Sequence, residues 1–252
     1  PLTNRPISNF GGNECGGTLF PALANSCNTS FAQMAVEQNG AEQMIDSAES
    51  VGFNADVPID LPSPATSFYP TDFGDVVSRP DGLAPVNEDA PKLAQTGIGQ
   101  NDVAATPLQM AMVAGAVANG GEVMVPHVMA DVRARDGSLV TSWEPAGWRT
   151  AFGEDVADTL REAMVGVVEN GTAQVMQIDG AEVGAKTGTA QLGTDPPTSH
   201  GWMIAFGGPP GEEPTVAVAV VVNNLGGASN QTGGRVAGPI AKNVLATALL
   251  VR

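Results

Sequence analysis

Residues Val183 to Gln191 read VGAKTGTAQ, and this stretch constrains the fold more than any other. Two further strand-like runs follow it, Trp202 to Phe206 and Thr215 to Val222, so the last third of the chain reads as three consecutive strands. Only the first carries a cation. The chain has three lysines, Lys92, Lys186 and Lys242, and one of them sits inside this strand. Lysine is almost never fully buried without a partner, so the position needs a chemical reason. Side chains alternate along a strand, which puts Thr187 and Thr189 on one face and Lys186 on the other with Gly188. Glycine there admits the close approach of a ligand or of another backbone. Two hydroxyls along one edge suit a carboxylate, and a lysine behind them adds positive potential. An ordinary strand with one solvated lysine is compatible with the same four residues.

Composition narrows the partners. A formal net charge of −16 in 252 residues argues against nucleic acid, which calls for clustered Lys and Arg. The longest apolar run, near Val216 to Val222, falls far short of a membrane span. The chain opens at Pro1 and its first methionine is Met34, which reads as a cut edge. Two cysteines, Cys15 and Cys27, have no histidine nearby, so no metal site is expected. Their separation permits a disulfide; two small buried thiols are the alternative.

The rest reads in order as follows. Pro1 to Ala24, rich in Gly, Asn and Pro, reads as loop. Asn28 or Thr29 can cap a helix starting near Ser30 and stopped by Asn39-Gly40, and a second short helix fits Ala41 to Val51. Phe53 to Pro91 carries seven prolines from Pro58 onward and lacks periodicity, which predicts a surface loop with short helical turns. Thr106-Pro107 starts a helix that Gly120-Gly121 stops. Glu122 to Arg133 and Ser138 to Trp143 suggest a hairpin around Asp136-Gly137, Glu154 to Glu169 is an amphipathic helix, and a last helix begins at Pro239. Helices, then strands with hairpin-length links, then a helix predict an α+β (mixed α/β) fold, an antiparallel sheet with helices packed on it.

A second polar piece, Ser26-Cys27-Asn28, lies at a helix mouth. Its Ser and Asn can aim at one space, or can simply cap the helix. With Lys186-Thr187-Gly188 it resembles two of the three motifs, Ser-Asp-Asn and Lys-Thr-Gly, of penicillin-binding proteins and β-lactamases. The stretches LANSCNTSFAQMA (Leu23 to Ala35), GIGQNDVAATPLQMAMVAGAVANGG (Gly97 to Gly121), VENGTA (Val168 to Ala173), AKTGTAQ (Ala185 to Gln191) and HGWMIAF (His200 to Phe206) keep one family's order across nearly the whole chain. They resemble the transpeptidase domain of class B penicillin-binding proteins, in its actinobacterial branch. One departure matters. The family's nucleophile is the serine of an upstream Ser-x-x-Lys, and no serine here has a lysine three positions on. The resemblance therefore implies that residues 1–252 are the C-terminal part of one penicillin-binding/β-lactamase-like transpeptidase domain, incomplete at the N-terminus.

The resemblance also implies the chemistry. In this family the serine attacks a D-Ala-D-Ala stem peptide, D-Ala leaves, and a neighbouring amine resolves the acyl-enzyme; β-lactams stall it. Ser26 would pass a proton toward the leaving nitrogen, and Lys186 would keep the site positive and orient Ser26. Asn28 would contact the substrate's amide side chain, and Thr187 and Thr189 would grip its terminal carboxylate. The Thr189 N–H would give half of the oxyanion hole. Peptidoglycan stem peptides and β-lactams are the implied ligands, a glycosyltransferase of the cell-wall machinery the implied partner, and no cofactor is expected. The implied place is the cell envelope, at the outer face of the cytoplasmic membrane, with the anchor upstream. A non-catalytic scaffold or sensor, or a D,D-carboxypeptidase or β-lactamase relative, are the alternatives. A histidine triad is not among them, because neither His127 nor His200 has a Gly-x-Ser-x-Gly partner. Trp202 is expected to pack within its strand rather than to bind substrate.

Overall fold

The computed structural model describes residues 6–79, 82–226 and 231–250. Two short helices, α1 (Leu19–Ala24) and α2 (Asn28–Gln33), flank Ser26, and a π-helical segment, Met34–Asn39, runs on into α3 (Gly40–Ser50). Helix α1 lies inside the segment expected to be loop. Its Pro21 sits in the first turn, where a missing N–H costs no hydrogen bond. Helix α2 starts two residues before the expected Ser30. No side chain of its own caps it; Asn9 reaches across and accepts from the Thr29 N–H at 3.0 Å and from the Thr29 hydroxyl at 3.2 Å. The two cysteines are joined, Cys15 to Cys27, so residues 6–16 are pinned beside the start of α2.

The proline-rich segment is not a surface loop. Its Phe53, Tyr69 and Phe73 are buried with Leu93 in a core of their own, against which Met44, Ile45 and Ala48 of α3 pack. It carries one two-residue strand pair, β1 (Val76–Val77) with β2 (Val86–Asn87), and leads into α4 (Ala90–Thr96), capped by the Asp89 carboxylate. Helix α5 (Pro107–Ala118) begins as expected: the Thr106 hydroxyl accepts from the Gln109 N–H at 3.0 Å and Pro107 takes the first helical position.

The expected hairpin holds only in part. β4 (Asp131–Arg133) pairs with β5 (Leu139–Ser142) around Asp136-Gly137, but β3 (Glu122–Met124) pairs with β6 (Gly147–Thr150). Helix α6 (Glu154–Asn170) follows. The three expected strands are β7 (Glu182–Gln191), β8 (Thr198–Gly208) and β9 (Val216–Gly226), antiparallel in that order. Two short helices close the chain, α7 (Gly233–Val236) and α8 (Gly238–Leu250).

Helices cover both faces of this sheet. On one, Val183, Ala185, Met203, Ala205 and Val218 pack with Ala241 and Leu245 of α8 and with Val167 and Val168 of α6. On the other, Phe206, Ile204 and Ala217 pack with Val117 and Ala118 of α5 and Met164 of α6. β8 is the middle strand, which is why its inward residues, Met203, Ala205 and Phe206, are essentially fully buried. Among the described residues no strand pairs with the outer edge of β7, and the site lies along that edge. No described helix is long and apolar enough to cross a membrane.

Candidate active site

A cleft of about 1650 Å³ runs along the outer edge of β7. Ser26, Asn28, Lys186, Thr187, Gly188 and Thr189, the six residues singled out from the sequence, all line it. The strand alternation works as expected. Thr187 and Thr189 stand on the face that carries Val183 and Ala185, and Lys186 stands on the opposite face, toward Ser26.

Lys186 is the electrostatic centre. Its ammonium donates to the Ser26 hydroxyl at 2.8 Å and to the Thr187 carbonyl at 2.9 Å. Burial disfavours the charged form and lowers its pKa from 10.5 to about 8. The lysine is therefore mostly protonated at neutral pH yet within reach of proton exchange. Ser26 is held by its backbone as much as by its side chain. It sits between two helices at φ 54°, a left-handed conformation uncommon for a residue other than glycine. Its N–H donates to the Leu23 carbonyl at 3.1 Å, and the next residue, Cys27, is fully buried in the disulfide. Neither Ser26 nor Asn28 caps a helix with its side chain. The Asn28 amide donates to the Ser8 carbonyl at 3.1 Å, which ties the cleft wall to the N-terminal segment.

The threonine hydroxyls already have protein partners, and their chemistry leaves protons to spare. The Thr187 hydroxyl shares a hydrogen bond of 2.9 Å with the Thr172 hydroxyl, so one of the two protons remains to be donated outward. The Thr189 hydroxyl accepts from the Gly233 N–H at 3.4 Å, which leaves its own proton free. Gly188 meets the side chain of its cross-strand neighbour: a Cβ there would sit 3.1 Å from the Trp202 Cβ. Its small size thus serves strand packing, and Trp202 does not line the cleft.

Four contributors lie outside the six. Thr172 comes from the turn after α6, where its N–H donates to the Ala24 carbonyl at 3.0 Å and fastens that turn to α1. Thr232 and Gly234 come from the start of α7. Gln100 comes from the loop after α4, and its side-chain amide spans two groups of the β7 edge. The nitrogen donates to the Thr189 carbonyl at 2.9 Å, and the oxygen accepts from the Gln191 N–H at 3.1 Å. The N–H and C=O of one strand residue point the same way, so the Thr189 N–H also faces the cleft. VENGTA and GIGQ were visible as stretches; their roles at the cleft were not, because both arrive through turns. Neither His127 nor His200 lines the cleft, and no group of three potential metal ligands occurs among the described residues.

An antiparallel sheet covered by helices on both faces, with a serine, a lysine and paired threonines along one open edge, defines a mixed helix-and-sheet protein whose polar cleft lies at a sheet edge. The comparisons make the class specific. Residues 2–246 match the family described as penicillin binding protein transpeptidase domain, and the chain belongs to that family. Its relatives include the peptidoglycan D,D-transpeptidase PbpA of Mycolicibacterium smegmatis, 36% identical over 99% of this chain and 48% of that protein. Stage V sporulation protein D of Bacillus subtilis is 28% identical over 92% of this chain and 34% of that protein. The chain thus spans about half the length of PbpA, or less of its other relatives. Among solved structures, PBPA from Mycobacterium tuberculosis superposes with a TM-score of 0.78 at 35% identity, covering 99% of this chain and 53% of that one. The D,D-transpeptidase domain from Eggerthella lenta gives 0.80 at 30% identity, covering 98% and 57%. PBPA from M. tuberculosis has also been solved as acyl-enzyme complexes with imipenem and with penicillin G.

Proposed function

We propose that this chain is the C-terminal part of the transpeptidase domain of a peptidoglycan D,D-transpeptidase, whose nucleophilic serine lies in a Ser-x-x-Lys outside these 252 residues. The contact that carries the reading is the 2.8 Å hydrogen bond from Lys186 to Ser26 across the cleft. It links the Ser-x-Asn and Lys-Thr-Gly motifs, 160 residues apart in sequence. Lys186 polarises the Ser26 hydroxyl, which hands a proton to the departing D-Ala nitrogen. The spare hydroxyl protons of the Thr187–Thr172 pair and of Thr189 hold the terminal carboxylate of the stem peptide. The Thr189 N–H stabilises the developing oxyanion, and Asn28 orients the peptide's amide. β-Lactams enter as mimics of the same D-Ala-D-Ala end, as the PBPA acyl-enzyme structures illustrate for a relative. Cell-wall stem peptides as substrates, a glycosyltransferase as partner and a place in the cell envelope follow from the same reading.

Labelling with a fluorescent penicillin tests it. The full-length protein is expected to form a covalent adduct that survives denaturation, and the 252-residue chain alone is expected to form none. Without the nucleophile, acyl transfer falls by orders of magnitude. A covalent adduct on the 252-residue chain overturns the placement of the nucleophile. An unlabelled full-length protein favours a non-catalytic penicillin-binding-like module.

A further inference from the structure

The outer edge of β7 is closed at one point by a side chain instead of a strand. An exposed strand edge offers alternate C=O and N–H groups to any extended peptide laid beside it. Here Gln100 takes two of them, the Thr189 carbonyl and the Gln191 N–H, with its own primary amide. A side-chain amide has the donor and acceptor of a peptide group, so Gln100 stands in for one unit of an added strand. The loop is shaped to deliver it. Gly99 has φ 70° and Asn101 φ 61°, so both neighbours of Gln100 adopt left-handed conformations. The Gln100 N–H donates to the Gln95 carbonyl at 2.9 Å, and the Asn101 amide donates to the Gln95 side chain at 3.2 Å. At the base of the loop, Gly97 packs so closely on the π-helical segment after α2 that a Cβ there would collide with the Ala35 Cβ.

We propose that Gln100 is a specificity-determining latch: it occupies the edge position that a ligand's secondary amide needs, and a ligand bearing such an amide must displace it to reach the Thr189 carbonyl. The latch leaves the Thr189 N–H free, so it competes with the part of the ligand that reads sequence and not with the reacting carbonyl. This rests on the transpeptidase reading above. Its consequence is selective. Penicillin G carries an acylamino side chain that competes with Gln100; imipenem carries a hydroxyethyl group in that place and has no amide to offer.

The test uses the full-length protein and its Gln100→Ala and Gln100→Glu variants, with stopped-flow acylation resolving the pre-covalent dissociation constant from the acylation rate constant for both β-lactams. Both variants lose the donor to the Thr189 carbonyl. Each is expected to raise the ratio of penicillin G to imipenem acylation efficiency by roughly 2- to 10-fold, the range of one neutral hydrogen bond. The change is expected in the dissociation constant for penicillin G and not in its acylation rate constant. A ratio that stays put, because both β-lactams shift together, or one that falls, overturns the latch and assigns Gln100 to loop packing. If the wild-type protein reacts with neither β-lactam, the functional reading fails on its own. Amide hydrogen exchange then decides the latch: exchange at Gln191 must quicken in Gln100→Ala, and unchanged exchange refutes it.

Discussion

At the scale of single residues, the electrostatics of the cleft turn on one lysine. Lys186 sits in a strand that would be unremarkable without it, and burial brings its pKa down from 10.5 to about 8. Below pH 8 folded and unfolded chains both carry the proton, and the fold bears the whole penalty of burying the ammonium. Above pH 8 the folded lysine releases its proton while the unfolded one keeps it. The unfolded state then binds more protons, so stability rises with pH across this window. Urea unfolding at pH 7.5 and 9.5 should therefore show a gain in the wild type that the Lys186→Met variant lacks. The same pH increment in both would refute the assignment. Tyr69, whose pKa burial raises, works in the opposite sense but only above about pH 10. The six cleft residues were legible because two short motifs name them. Gln100 and Thr172 were not, since a turn residue carries no periodicity to say which way its side chain points.

At the scale of elements, the site depends on how α7 sits against the sheet. Gly233 lies so close to the β7–β8 pair that a Cβ would collide with the Gly188 and Trp202 carbonyls. Its N–H also reaches the Thr189 hydroxyl. Gly233→Ala is expected to cost about 1–3 kcal/mol, the usual range for overpacking against backbone. It should also weaken carboxylate binding by withdrawing the donor that orients Thr189; denaturation midpoints and penicillin affinity of the full-length variant check both. A variant as stable as wild type would mean that α7 shifts freely. The strands β7 to β9 were legible from their apolar runs and short links, and α5 and α6 from their caps and periodicity. The proline-rich segment hides its core from the sequence for a physical reason. Its buried residues Phe53, Tyr69 and Phe73 fall at irregular intervals, matching neither a strand nor a helix, because they pack against other elements, among them Ile45 of α3 and Leu93 of α4.

At the scale of the whole molecule, two separately packed regions meet at the cleft. The sheet and its helices form one; α3, α4 and the proline-rich segment form the other. The N-terminal segment is tied to their junction by Cys15–Cys27 and by the bonds of Asn9 and Asn28. Cys15→Ser is expected to cost about 2–4 kcal/mol through the freed loop. It should also speed hydrogen exchange at Thr29, whose N–H would lose the fixed position of Asn9. No change in either would show that the Asn9 bonds alone hold the segment.

Ser26 lies where the chain crosses from one region to the other. Helix α1 before it packs on α6, and α2 after it packs on α4. The 2.8 Å contact between Ser26 and Lys186 therefore depends on the packing of α1 on α6 and of α6 on β7, and not on any bond within one element.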